Sequence, residues 1–345
     1  MAGERTPVPE LAGRPRPDLL LVNDDDLAYA KIRLDPASLA TATAHLSDFE
    51  DSLAATLVWG ATWDMTRDAE MPARQFVDQV TRNIAGVGDP SVTQTLLRQL
   101  AATLEMYVAP EHREETLATA AARLLSLLRT AEPGSDLQLL LARSFAAHAG
   151  TRELIAVVRG LLDGTGPLDG LAVDTEMRWT LLACLAAGGV AGDDEIDAEL
   201  DRDDTATGRV HAAAVRASLP TAEAKAAAWK SVIEEGELPN TVQAAVISGF
   251  NRARDRRLLA PYVEPYFEAL TRVWTERTSE MATQIAVGLY PATQPVEPLM
   301  ALADRWIAET QAEPALRRLV LEGRDGTARA LRAQRQDRAT GTPLS

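Results

Sequence analysis

The chain has 345 residues, a formal net charge of -15 and a sequence pI near 4.8. That acidity disfavours phosphate backbones and anionic membranes, so neither nucleic acid nor a membrane surface is expected as a partner. With 46 % hydrophobic, 25 % charged and only 5 % aromatic residues, the composition excludes a disordered chain and favours tight helix-on-helix packing over a β-rich core.

Residues 1–18, rich in proline and without hydrophobic periodicity, read as an extended lead-in, and no signal-peptide core is present. The next segment, LLLVNDDDLAYAKIRLD at 19–35, has a strand–turn–strand rhythm. Ala28, Ala30, Ile32 and Leu34 alternate with Tyr29, Lys31 and Arg33, which predicts a half-buried β-hairpin. At Asp35-Pro36 the period changes to that of a helix, with aspartate as cap and proline at the first helical position. Ser47 and Glu50 have capping-box spacing ahead of a helix whose apolar stripe is Phe49, Leu53, Leu57, Gly60 and Trp63. Asp89-Pro90 starts another, with Leu97, Leu100, Leu104 and Tyr107 in register. Further stripes run through Leu117, Ala121, Leu124 and Leu128, and through Leu137, Leu141, Phe145 and His148.

Helices are then predicted at 151–163, 174–188, 206–218, 222–235, 240–251, 258–277, 279–289, 296–310 and 314–335. They are separated by Gly- and Pro-marked breaks. A dozen or so short amphipathic helices in series predict a mainly α fold. The expected architecture is an α-solenoid of armadillo- or HEAT-like antiparallel pairs with a concave face.

No catalytic or metal motif stands out. The histidines, His45, His112, His148 and His211, are far apart and none opens an H-E-x-x-H. Asp24, Asp25 and Asp26 lack the alternation, glycine and distal glutamate of a calcium loop and read as a solvated turn. DDEIDAELDRDD at 193–204 reads as a solvated acidic helix and loop. RARDRR at 252–257 reads as cations that pair with carboxylates or cap helix C-termini. Cys184, the single cysteine, lies in the apolar run WTLLACLAAGG; it excludes an intramolecular disulfide and reads as a buried small hydrophobe in a reducing cytoplasm. Trp59, Trp63, Trp179 and Trp274 have aliphatic neighbours at helical spacing and read as core.

The segment from Asn23 through YAKIRLD (Tyr29 to Asp35) resembles the hairpin that precedes the helical C-terminal domain of zinc aminopeptidases of the aminopeptidase N type. LVWGATWDMTRDAEMPARQFVDQV is similar to the helix, polar turn and helix that begin that ER-aminopeptidase-like domain. RWTLLACLAAGGVAGDDEIDAELDRDD and SGFNRARDRRLLAPYVEPYFEALTRVWTERTSEMATQIAVGLYP resemble its actinobacterial branch. The likeness covers roughly 19–335. It implies a lead-in at 1–18, a hairpin remnant of an upstream β-sandwich at 19–35, a helical domain at 36–338 and a tail at 339–345.

In that family the zinc-binding H-E-x-x-H and the G-x-M-E-N loop lie on an upstream catalytic domain, and neither motif occurs in this sequence. The resemblance therefore implies a cytoplasmic domain with no cofactor of its own, inactive by itself, whose partners are the catalytic and β-sandwich domains and peptide substrates. Zinc belongs to the other domain. Asn251 and Arg252, in GFNR, and Arg178 are the candidates for residues lining a substrate cavity. A free-standing α-solenoid that binds a protein or peptide in its concave face is the competing expectation.

Overall fold

The computed structural model describes residues 6–339. A single 3-10 turn, Pro9–Leu11, interrupts the lead-in; the predicted tail beyond Ala339 lies outside the described residues. The chain then forms α1 (Pro36–His45), α2 (Ser52–Arg67), α3 (Ala73–Asn83), α4 (Pro90–Ala102), α5 (Arg113–Thr130) and α6 (Asp136–His148). Next come α7 (Arg152–Asp163), α8 (Thr175–Ala187), α9 (Asp193–Arg202), α10 (Ala206–Ser218), α11 (Ala222–Trp229) and α12 (Asn240–Asn251). Finally come α13 (Val263–Glu276), α14 (Ser279–Gly288), α15 (Val296–Glu309) and α16 (Pro314–Ala339). Helices α4 and α11 continue into π-helical turns, Thr103–Tyr107 and Lys230–Glu235. The fold is mainly α, and among the described residues there is no strand.

Local chemistry explains most of the starts. The Asp35 carboxylate accepts the Ala37 and Ser38 N–H groups, and Asp89 accepts those of Ser91 and Val92, each beside a proline at the first helical position. The expected capping box at Ser47 and Glu50 is not the start of α2. Asp51 caps it instead, accepting Leu53 N–H at 2.8 Å, because a carboxylate directly ahead of the helix reaches its free N–H groups without the chain having to turn at Ser47. The stripe expected on α2 is also displaced. Ala54, Val58, Trp59, Ala61 and Met65 are buried while Leu53 is exposed. This helix is apolar on most sides, so its period does not choose the face.

The expected hairpin at 19–35 is absent. Asn23 turns the chain at φ +67°. Its Oδ1 accepts the Ala28 N–H at 2.9 Å, and its Nδ2 donates to the Ala28 carbonyl at 2.8 Å. A side-chain amide thus replaces the backbone ladder at the one place where the arms meet. A two-stranded ribbon without a supporting sheet is marginal in water, and here the arms attach to helices. Leu20 N–H donates to Ser38 Oγ at 2.9 Å, and Lys31 and Arg33 both reach Asp68 at 2.6 Å. Only Leu34 of the expected inner face is buried. Ala28 and Ala30 are exposed, and Leu27 and Tyr29 stand in solvent.

The helices make two layers. Helices α4, α6, α8, α10, α12, α14 and α16 pack each on the next, while α5, α7, α9, α11, α13 and α15 pair with them from one side. The row curls until α16 meets α2, α3 and the π turn after α4. Buried side chains divide into two clusters. One runs from Leu34 to Val215 and the other from Ala217 to Val320, so the seam between them falls within α10. A fully buried Leu or Phe in either cluster contributes about 1.5–3 kcal/mol.

Candidate functional site

A cleft of about 140 Å³ opens at that seam, between α8, α10 and α12. Trp179, Ala183, Ala214 and Val215 give it an apolar lining, and Ser248 and Arg252 lie at its edge. Trp179 is held on two sides. Its ring stacks on His211 at a centroid distance of 5.8 Å, and its Nε1–H donates to Asp203 Oδ2 at 2.9 Å. His211 Nε2 in turn lies 3.2 Å from Glu176 Oε1. The close approach of α10 and α12 beneath the cleft depends on Gly249, where a Cβ would run into the Ala214 carbonyl oxygen and come within 2.9 Å of the Ala217 Cβ.

The three cavity candidates from the sequence fall in different situations. Arg178 is engaged as a structural ion pair. Its Nε and Nη2 donate to Glu199 at 2.7 and 2.6 Å, and Nη1 donates to the Leu162 carbonyl at 3.1 Å. Hydrogen bonding to Glu199 raises its guanidinium above the usual arginine value. Asn251 is exposed, and its Nδ2 donates to the Gly288 carbonyl at 2.6 Å. Arg252 lines the cleft, reaches solvent, and its guanidinium has no hydrogen-bond or ion-pair partner among the described residues. Protein nonetheless surrounds it, and the resulting desolvation pulls its pKa down.

Arg254 and Arg256 neighbour Arg252 in sequence, and the fold brings Arg113 near Arg256. The even-numbered row ends close by, and the loop after α12 lies against helix C-termini, where partial negative charge favours cations. Arg254 donates to the Ala149 carbonyl, at the C-cap of α6, and its Nη2 lies 3.7 Å from Cys184 Sγ. Arg256 donates to the Glu105 carbonyl in the π turn at 2.9 Å and to the Thr293 carbonyl at 3.2 Å. Arg113 donates to the Val108 carbonyl at 3.1 Å. Burial, with help from neighbouring Arg256, brings its pKa down to about 10. His148 donates Nδ1–H to the Ser144 carbonyl at 2.8 Å, and burial lowers its pKa, which keeps the ring neutral. Cys184 is buried and its thiol is pushed up by desolvation, which makes it a poor nucleophile.

The sequence reading missed Arg113 and Glu105. One signal was available: Arg113 opens α5, and a cation at a helix N-terminus works against the dipole. The described residues do not fit zinc, since no three or more His, Cys, Asp or Glu side chains converge as a metal site, and Asp24, Asp25 and Asp26 are exposed. No helix among them is long and apolar enough to cross a membrane.

The fold is a curled α-solenoid with a small cleft between α8, α10 and α12 and arginines beside it. The family model for the ERAP1-like C-terminal domain matches residues 19–329, and the chain belongs to that family. It is 52 % identical over 337 residues to the aminopeptidase N of Streptomyces lividans. That match covers 98 % of this chain and 39 % of the relative, so the chain corresponds to the C-terminal part of a longer protein.

Proposed function

We propose that this chain is the helical C-terminal domain of a cytoplasmic zinc aminopeptidase. It closes over a catalytic domain carried on other residues and lines the peptide cavity with the inner row of helices. In the parent enzyme the chemistry would be metal-assisted hydrolysis of the N-terminal peptide bond. This chain supplies walls, exclusion of bulk water and selection of peptides that fit. Residues 19–35 would be the junction to the preceding domain and 36–338 the cap. The observation that carries the reading is the continuous match of nearly the whole chain to the C-terminal part of an aminopeptidase N. The exposed Leu27 and Tyr29, on a segment without strand partners, suit a junction that is covered in the parent.

The test is co-expression with the polypeptide that corresponds to the remainder of the Streptomyces relative. The two parts should co-purify, carry one zinc and hydrolyse an aminoacyl chromogenic substrate, whereas this chain alone should hold no stoichiometric zinc and show no turnover. Turnover by the isolated chain, or failure of the two parts to associate, would overturn the proposal.

A further inference from the structure

A larger cavity, of about 480 Å³, shares no lining residue with the cleft between α8, α10 and α12. It lies between the turn Arg256–Tyr262 that leads into α13, α13 itself, and α15 with the loop before it. Its walls are mostly apolar, through Pro261, Pro265, Pro295, Pro298, Leu299 and Leu302. Proline carries no N–H, and no Lys, Arg or His lines the cavity, so its free side-chain polar groups are acceptors. Glu264 and Glu268, one turn apart on α13, are exposed, and neither has a hydrogen-bond or ion-pair partner among the described residues. Arg272, one turn further on, is held instead by Glu276 at 3.2 Å and by the Ile233 carbonyl at 3.1 Å. Gln294 supplies an independent observation. It is only 6 % exposed, and its Nε2 donates to the Arg256 carbonyl at 2.9 Å, while its Oε1 has no partner among the described residues. A buried amide oxygen in a cavity wall, left without a donor, calls for one from a ligand.

Glutamates at i and i+4 on a helix have their Cβ atoms about 5–6 Å apart, and like charges at that spacing repel. A four-carbon aliphatic chain holds two ammonium groups at a comparable separation. Such a dication meets both carboxylates, and its methylenes leave water against the proline and leucine walls. The structure assigns this cavity to an aliphatic diamine or polyamine, with one ammonium on each of Glu264 and Glu268 and an N–H for Gln294 Oε1. The assignment does not rest on the aminopeptidase reading. A single ammonium, such as a lysine side chain of a partner would offer, meets only one of the two carboxylates.

Isothermal titration calorimetry on the full chain uses putrescine, spermidine, butylamine and magnesium chloride. Putrescine and spermidine should each bind at least about tenfold more tightly than butylamine, the size of one charge-assisted contact. Glu264→Gln and Glu268→Gln should each erase that difference while keeping the circular dichroism spectrum. Glu223→Gln should keep it, because Glu223 is an exposed glutamate on α11 that does not line the cavity. Magnesium measures unspecific attraction to a chain of net charge -15. Putrescine that stays bound in an equal concentration of magnesium supports the site, and putrescine that magnesium displaces overturns it. Equal binding of putrescine and butylamine, no binding of either polyamine, or a chain with both glutamates replaced that binds like the native one also overturns it. Those outcomes leave the co-expression test untouched, so the two readings fail separately.

Discussion

Among the described residues, Lys225 is the one cation that is fully buried without a carboxylate to meet it. It has no exposed surface, and its Nζ donates to the Ala217 carbonyl at 2.6 Å and the Gly249 carbonyl at 3.3 Å, with the Phe250 ring 5.8 Å away. These acceptors are backbone carbonyls near the C-terminal ends of α10 and α12, so dipoles and a π face replace a counter-ion. Desolvation lowers its pKa to about 8 from 10.5. A lysine depressed in the folded state destabilises the fold wherever it is protonated, in full below about pH 8. That cost disappears as pH rises from 8 toward the unfolded value of 10.5. The difference corresponds to about 3 kcal/mol at most. Urea unfolding at pH 7.5 and pH 10 should show the native chain gaining stability relative to Lys225→Met across that interval. Parallel pH profiles for the two would refute the assignment. The same residue scale separates Arg178 from Arg252. Glu199 pairs with Arg178, whereas the Arg252 guanidinium has no hydrogen-bond or ion-pair partner among the described residues.

At the scale of elements, helix starts were readable because they depend on neighbours in sequence. Asp35-Pro36 and Asp89-Pro90 each cap where a carboxylate and a proline stand side by side. The choice of face on α2 and the fate of 19–35 were not readable, since both depend on what lies opposite. Leu53 has the right spacing for a core residue and faces solvent, while the strand rhythm of 27–34 meets no partner strand. Helix pairing shows the same dependence at Gly249. Its lack of a side chain lets α12 lie against the Ala214 and Ala217 region of α10, directly under the candidate cleft. Gly249→Ala should force the two helices apart and cost about 1–3 kcal/mol, the usual penalty for overpacking. Thermal unfolding would read this as a lowered Tm. An unchanged Tm would mean the pair has slack that the packing does not suggest.

For the molecule as a whole, the decisive contact joins residues 263 positions apart. Asp337, on α16, is completely buried and accepts the backbone N–H groups of Arg74 at 2.9 Å and Ala109 at 3.0 Å, along with the Arg74 guanidinium. Gln334 adds a bond to the Met106 carbonyl at 2.7 Å. The last helix is thereby fastened to the first third of the chain, and an open row of helices becomes a closed cup. Asp337→Asn removes the charge that meets Arg74 and should cost about 3–5 kcal/mol, as breaking one partner of a buried pair does. Limited proteolysis should then release α16 before the rest of the chain. Uniform protection would show that the clasp is dispensable.

What the sequence determined by itself was local in origin: the helical class, most helix positions and the absence of zinc-ligand spacing. These follow from capping chemistry, periodicity and residue type within a few positions. Only the tertiary structure decided that the cup closes at Asp337, that Arg113 lies near Arg256, that Arg178 is engaged, and that the arms of 19–35 attach to helices rather than to each other. Each of these depends on contacts between residues well apart in the chain, from Leu20 with Ser38 to Arg74 with Asp337. Hydrophobic period constrains which side of an element is apolar, but not which other element it meets.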